Sequence, residues 1–233
     1  MPMIPLYFGD ITFFLIIPAM LLAGLAQLRV STSFNKYSQH MSRRGKSGAE
    51  VAASILRGNG IYDVDVEMGH GHLTDHYDPR SRRIVLSEEV YGSSSIAAIS
   101  IAAHEAGHAL QHSTGYAPLA LRSFIVPVAS FGSRLAMPLF LIGMFMGEAG
   151  HFFIELGILF FACAVLFQVI TLPVEFNASR RAIAVLTDGM YLDEEEVVPA
   201  RKVLNAAAMT YVAATFVALL QLLRLLLLSG RRR

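Results

Sequence analysis

The sequence predicts a mainly α membrane protein, with about four membrane-associated helical segments and a small α+β domain between the first and the second. Three observations predict it. Of the 233 residues, 54% are hydrophobic and only 16% charged, and the mean hydropathy of +0.50 is too apolar for an ordinary soluble domain. Several stretches are long enough to cross a hydrocarbon core, for which about 20 apolar residues are needed. Between the first two lies a polar stretch, Ser31 to Tyr116, whose patterning switches between helix and strand.

The segments Ile11 to Leu28, Leu156 to Val174 and Val203 to Leu223 contain no charged residue. Ser123 to Gly147 carries Arg134 near its middle, with Pro127 and Pro138 on either side, and reads as an interfacial piece followed by a kinked span. No cationic stretch precedes the first segment and no clear small-residue cleavage site follows it, so it reads as a retained anchor rather than a signal peptide. Arg29, Lys36, Arg43, Arg44 and Lys46 follow that anchor within reach of the membrane. By the positive-inside bias the N-terminus lies outside and the polar stretch is cytoplasmic. The Glu148 to His151 turn then faces outward, and Glu175 to Lys202 returns to the cytoplasm. Arg231, Arg232 and Arg233 end outside if the last segment crosses fully, against the bias; a re-entrant last helix is the other arrangement. The expected organisation is an anchor over 1–29, a polar domain over 30–122, two membrane helices over 123–174, a helix and loop over 175–202, and a membrane helix with a basic tail over 203–233.

A net charge of +1 argues against a polyanionic partner, so no nucleic acid is expected. The single cysteine, Cys163, lies in an apolar run and excludes both an intramolecular disulfide and a thiolate cluster. Any metal site must draw on His, Asp or Glu.

Within the polar stretch, Ser47 followed three residues later by Glu50 is a capping-box signature that opens a short helix through about Leu56; Gly58, Asn59 and Gly60 stop it. Val64 and Val66 alternate with acidic residues as in a strand. Ile84, Val85 and Leu86 form a second short apolar run after the turn-like Asp78-Pro79-Arg80-Ser81. From about Ser94 to His112 the pattern is helical, ending near Gly115.

That helix carries His104-Glu105-Ala106-Gly107-His108. Two His one turn apart share a helix face, with Cβ atoms about 5 to 6 Å apart, a spacing that lets both imidazoles reach one zinc ion at about 2.0 to 2.1 Å. Glu105 lies roughly 100° around the helix from His104, where it can take a proton from a metal-activated water without binding the metal. The bland alternative is an amphipathic helix whose polar face happens to carry these groups. Against it, ionisable groups in an apolar helix beside membrane spans are costly unless something satisfies them.

A catalytic zinc keeps three protein ligands and an open position. Glu175 is the leading third candidate: it directly follows the apolar 156–174 segment, and two crossings separate it from His108, so both emerge on one membrane face. The alternative is that Glu175 pairs with Arg180 or Arg181. His112 lies about 12 Å of helix rise from His104, beyond the reach of a metal held by the first two imidazoles; it reads as a helix-end residue or a substrate contact. Thr114 stands where a metzincin needs His. The histidines of Gly69-His70-Gly71-His72 read as solvated. His76, Tyr77 and Tyr91 are possible donors to an oxyanion, or structural. Asp188-Gly189 resembles part of a site-2 protease signature, but its neighbours are polar and Gly189 reads as a helix terminator.

Over essentially the whole chain the sequence resembles the YugP-like neutral zinc metallopeptidases of bacterial membranes. The matching stretches are Leu73-Thr74-Asp75-His76-Tyr77-Asp78-Pro79, Leu86-Ser87, the His104 to His108 box, and Leu172 to Ala182. Glu175-Phe176-Asn177-Ala178-Ser179 is also similar to the Glu-x-x-Ala-Asp helix of gluzincin membrane peptidases, which include heat-shock and CAAX protease relatives. The resemblance implies that Glu175 is the third ligand, with Ser179 where that pattern has Asp. It implies a zincin-like catalytic domain holding one Zn²⁺ per chain, and Ile84 to Ser87 as the strand along which an extended peptide adds. The expected activity is zinc-dependent hydrolysis of peptide bonds in membrane-associated or unfolded proteins. Its partners would be a peptide or protein substrate and membrane lipid, in the bacterial inner membrane with a cytoplasmic site. A metal-binding transporter, a catalytically inactive metal-binding adaptor and a site-2-protease-like enzyme are the competing classes.

Overall fold

A computed structural model describes residues 11–71 and 74–230. His72 and Leu73, the N-terminal ten residues and Arg231 to Arg233, with the expectations attached to them, fall outside the described residues. A 3-10 turn at Ile11–Leu15 leads into α1 (Ile16–Ser38), followed by α2 (Gly48–Gly58), β1 (Asp65–Gly69), β2 (His76–Asp78), β3 (Arg83–Ser87), α3 (Glu88–Tyr91) and α4 (Ile96–Ser113). Then come α5 (Ala117–Phe145), a 3-10 turn at Gly147–Gly150, α6 (His151–Asp188) and α7 (Glu194–Gly230). The chain forms two compact units.

One unit holds the chain up to Ala26, Leu121–Leu172 and the chain from Thr210 on. It is built from the apolar parts of the long helices. Among the described residues, Ile11–Ser38, Ala117–Phe145, Gly147–Asp188 and Glu194–Gly230 are the four helical stretches long and apolar enough to cross a membrane. Phe124, Phe131, Phe152 and Leu159 stand exposed on this unit, as side chains do where lipid is the solvent. Phe140, Met144, Ile154, Leu225 and Leu228 pack inside it. A Cβ on Gly157 would sit 2.7 Å from the Ala136 carbonyl oxygen, so α5 and α6 approach through the missing side chain. The stretch expected as an interfacial piece followed by a kinked span lies in one helix, α5, with Pro127 and Pro138 inside it. In an apolar setting, leaving the helix would strand further backbone groups, which favours continuity through proline. Of the helix and loop expected over 175–202, the loop is short: α6 runs on to Asp188 and α7 begins at Glu194. The chain leaves α6 at Gly189, yet the left-handed residue is Met190 (φ 52°). The Met190 N–H donates to Thr187 O and the Tyr191 N–H to Leu186 O, a Schellman closure.

The other unit, Gln27–Ala120 with Pro173–Met209, has its own core. Here α2 opens with the capping box: the Glu50 N–H donates to Ser47 Oγ (3.3 Å) and the Ser47 N–H to Glu50 Oε2 (2.8 Å). Its buried face, Val51, Ala52, Ile55 and Leu56, packs in one cluster with Ile84 and Leu86 of β3 and Ile99, Ala102 and Ala106 of α4. The sheet has the order β1-β3-β2. β1 runs parallel to β3, and β2 pairs antiparallel with it, Tyr77 opposite Ile84.

That order corrects one expectation. Ile84 to Ser87 belongs to the central strand, paired throughout with β1 on one side and, at Ile84 and Val85, with β2 on the other. Beyond the end of β2, the Ser87 N–H is taken by Asp75 Oδ1 at 2.8 Å. With its ladder groups committed, β3 cannot accept a peptide by strand addition.

Candidate metal centre

His104 and His108 stand one turn apart on α4, their ring centroids 4.8 Å apart and edge to face. Gly107 lies between them in sequence at a helix crossing: a Cβ there would sit 2.6 Å from the Ala178 carbonyl oxygen. A glycine in the box therefore lets the backbone of α6 approach α4 closely enough for Glu175, about one turn before Ala178, and Ser179, the residue after it, to reach the imidazoles. Glu175 does so from one side. Its Oε2 lies 3.2 Å from His104 Nε2 and 3.6 Å from His108 Nε2. Ser179 does so from the other, with Oγ 3.2 Å from His104 Nδ1.

One ligand atom from each of His104, His108 and Glu175 lies within 4.8 Å of the others. Ligand atoms each about 2.05 Å from a tetrahedral ion are separated by about 3.3 Å, close to the two Glu175 distances. Two imidazole nitrogens and a carboxylate oxygen, all largely buried, are a donor set that suits zinc.

The second ring nitrogens are also engaged. His108 Nδ1 lies 3.0 Å from Gln111 Oε1. The Gln111 amide nitrogen donates to the Val174 carbonyl (2.8 Å) and to Asn177 Oδ1 (3.0 Å). Asn177 Oδ1 also accepts from Arg181 Nε at 2.9 Å, so Arg181 turns to Asn177 while Glu175 faces the imidazoles. With its nitrogen spent on two acceptors, Gln111 presents its oxygen to His108. The Nδ1–H donates to that oxygen, and the Nε2 lone pair points toward Glu175. Sequence reasoning missed Gln111 and Asn177. The available signal was a Gln three residues after a ligand His, on the same helix face.

Glu105 is buried, 7% exposed, and its pKa is pushed up to about 7. Desolvation is the main cause; the charge of His104 opposes it, those of Glu175 and Asp75 add to it, and a hydrogen bond from the Tyr77 backbone N–H opposes it. This bond ties the carboxyl to β2, whose other edge is paired with β3. Asp75 in turn accepts from the Ser87 N–H and hydroxyl, and burial pushes its own pKa up. The Tyr77 hydroxyl lies 2.7 Å from His112 Nδ1, so His112, one turn past His108, faces β2.

The remaining candidates lie elsewhere. His70 pairs with Glu88 at 3.2 Å on the surface, and His76 Nδ1 contacts Thr74 O at 2.8 Å. Tyr91 packs against the core cluster. Asp188 ends α6, about 20 Å of helix rise beyond Glu175, too far to share its metal.

The apolar helices and this cluster define a membrane-protein class with a His, His, Glu centre, and the comparisons specify it. The chain belongs to the neutral zinc metallopeptidases: the family described as "Putative neutral zinc metallopeptidase" matches residues 12–230. It is similar to the "Putative membrane protease YugP" of Bacillus subtilis (strain 168), with 50% identity over 220 residues, covering 94% of this chain and 97% of the relative. No solved structure matches.

Proposed function

We propose that the protein is a zinc-dependent endopeptidase whose unit of β1 to β3, α2, α4 and the start of the α6 extension forms a zincin-like catalytic domain. The observation that carries this reading is the convergence of His104 Nε2, His108 Nε2 and Glu175 Oε2 beside a buried Glu105. One zinc ion, held by His104, His108 and Glu175, would supply a water of lowered pKa and polarise the scissile carbonyl. Glu105, buried beside these residues, is the group that would act as base, accepting a proton from the attacking water and returning it to the leaving amine. Ser179 and Gln111 hold the imidazoles in the tautomer that offers Nε2.

The substrate is read as passing beside β2, the sheet-edge strand whose Tyr77 N–H is bonded to Glu105, so that its scissile carbonyl comes near the acid-base group without a ladder bond to that N–H. Tyr77, whose hydroxyl meets His112, is the neighbouring group suited to a developing oxyanion. The cations that follow the first apolar stretch, Arg29, Lys36, Arg43, Arg44 and Lys46, support a cytoplasmic site in a bacterial inner membrane. Substrates are then membrane-associated or unfolded segments. The test is hydrolysis of an unfolded protein by the purified chain, with metal removed by chelator and restored. Restoration by zinc supports the reading; hydrolysis indifferent to metal removal excludes it.

A further inference from the structure

A second site lies away from the metal centre, in the same unit. A cleft of about 450 Å³ has Arg29, Thr32, Ser33 and Lys36 of α1 and Lys202 and Asn205 of α7 as polar lining, and Tyr37, Ala206 and Met209 complete a lining that exposes more apolar than polar surface. The residues from α1 recur at i, i+3, i+4 and i+7, and those from α7 at i and i+3, so each set forms one stripe on its helix. Both stripes line the same cleft although more than 160 residues of chain separate them. Three cations, two hydroxyls and an amide are the donors that bind a phosphate oxygen cluster, and no carboxylate lines the cleft among the described residues.

Its place in the chain says where the anion comes from. Arg29 directly follows the uncharged stretch Ile11 to Leu28, and Lys202 directly precedes the uncharged stretch Val203 to Leu223. The helical stretch Ile11–Ser38 has 28 residues, about 42 Å of rise against a hydrocarbon core of about 30 Å. Its last turns therefore reach headgroup depth. Cations from two helices line one cleft where each helix leaves the apolar region, with the Thr32 and Ser33 hydroxyls on the α1 side.

We propose that this cleft binds the phosphodiester headgroup of an anionic phospholipid, with Arg29, Lys36 and Lys202 on the phosphate and Thr32, Ser33 and Asn205 on its ester and glycerol oxygens. Juxtamembrane cations attract anionic lipid generally; a walled cleft with donors on both sides adds a defined stoichiometry. The site is independent of the metal centre and of the peptidase reading.

The test is native mass spectrometry of the full chain, released from detergent micelles doped with equal phosphatidylglycerol and phosphatidylcholine. The wild type retains one phosphatidylglycerol in preference to phosphatidylcholine. The Arg29→Gln/Lys36→Gln/Lys202→Gln variant loses that preference by about fivefold for each charge removed. A charge-preserving Arg29→Lys/Lys36→Arg/Lys202→Arg variant keeps it, with helicity by circular dichroism confirming that both fold. Removing three exposed cations elsewhere in the unit, Lys46→Gln/Arg57→Gln/Arg80→Gln, leaves it intact. The proposal is overturned if the cleft variant binds phosphatidylglycerol like the wild type, or if the control variant loses as much, which would make the effect one of net charge. It is equally overturned if millimolar inorganic phosphate displaces the lipid, which would make the site one for a soluble anion.

Discussion

Gln111 Oε1 lies 3.0 Å from His108 Nδ1, and the other end of that amide is spent on the Val174 carbonyl and Asn177. The pair fixes which imidazole nitrogen is free, because an amide whose nitrogen already donates twice can offer His108 only an acceptor. Replacing Gln111 by Leu keeps the bulk and removes that acceptor. Zinc affinity, measured by competition with a chromophoric chelator, should fall by about 10- to 100-fold. An unchanged affinity would mean that the His108 tautomer is set by something else.

Ser179 plays the corresponding part for His104, through a hydroxyl 3.2 Å from Nδ1. Ser179→Ala should weaken zinc binding by about tenfold, whereas Ser179→Asp, which restores a stronger acceptor, should bind at least as well as the wild type. The same chelator competition reads both. Equal loss in the two variants would point to packing at this position, not to the hydrogen bond.

Gly107 is a close approach between the two helices that carry the proposed ligands. A methyl group there meets backbone at 2.6 Å, which no side-chain rotation relieves. Gly107→Ala should cost about 1 to 3 kcal/mol of stability and loosen zinc together with it, seen as a lowered thermal midpoint and a weaker metal affinity. A variant of wild-type midpoint and zinc affinity would show that α4 and α6 do not cross as described.

The raised pKa of Glu105 has two consequences of known sign. As the base it acts ionised, so kcat/KM should climb with pH along an acid limb at or below about 7, the bound cation drawing it lower. In the metal-free protein the buried acid favours the folded state only while protonated, because its folded pKa lies above the unfolded one. That contribution is complete below the ordinary Glu value of 4.5 and is lost as pH rises through about 7. Denaturant midpoints of metal-free protein at about pH 5 and about pH 8 should therefore differ by less in Glu105→Gln than in the wild type. Identical differences in both would place the titration elsewhere.

Much of the site was legible because its signals are local. The His104 to His108 spacing is a property of one helix, and Ser47 with Glu50 marks a helix start within four residues. Glu175 was legible for another reason: a lone carboxylate directly after an apolar span. What depends on pairing across the chain was not. β2 is three residues, His-Tyr-Asp, too short and too polar to show a strand alternation, so nothing in the sequence stood against the substrate role that the resemblance implied for β3. Gln111 and Asn177 are ordinary helix residues until α4 and α6 meet. Charge marks where a helix leaves the apolar region, not where it ends, so the apolar segments gave no helix ends, and α1, α6 and α7 all continue past them.

The most direct measurement pairs zinc content with hydrolysis in Glu105→Gln, a change that keeps the shape of the side chain and removes its basicity. With His104, His108 and Glu175 intact, zinc should stay near its wild-type content while cleavage falls by about 10² to 10⁴; Glu175→Ala, by contrast, should lose metal and activity together. A Glu105→Gln protein that cleaves at the wild-type rate would contradict the account.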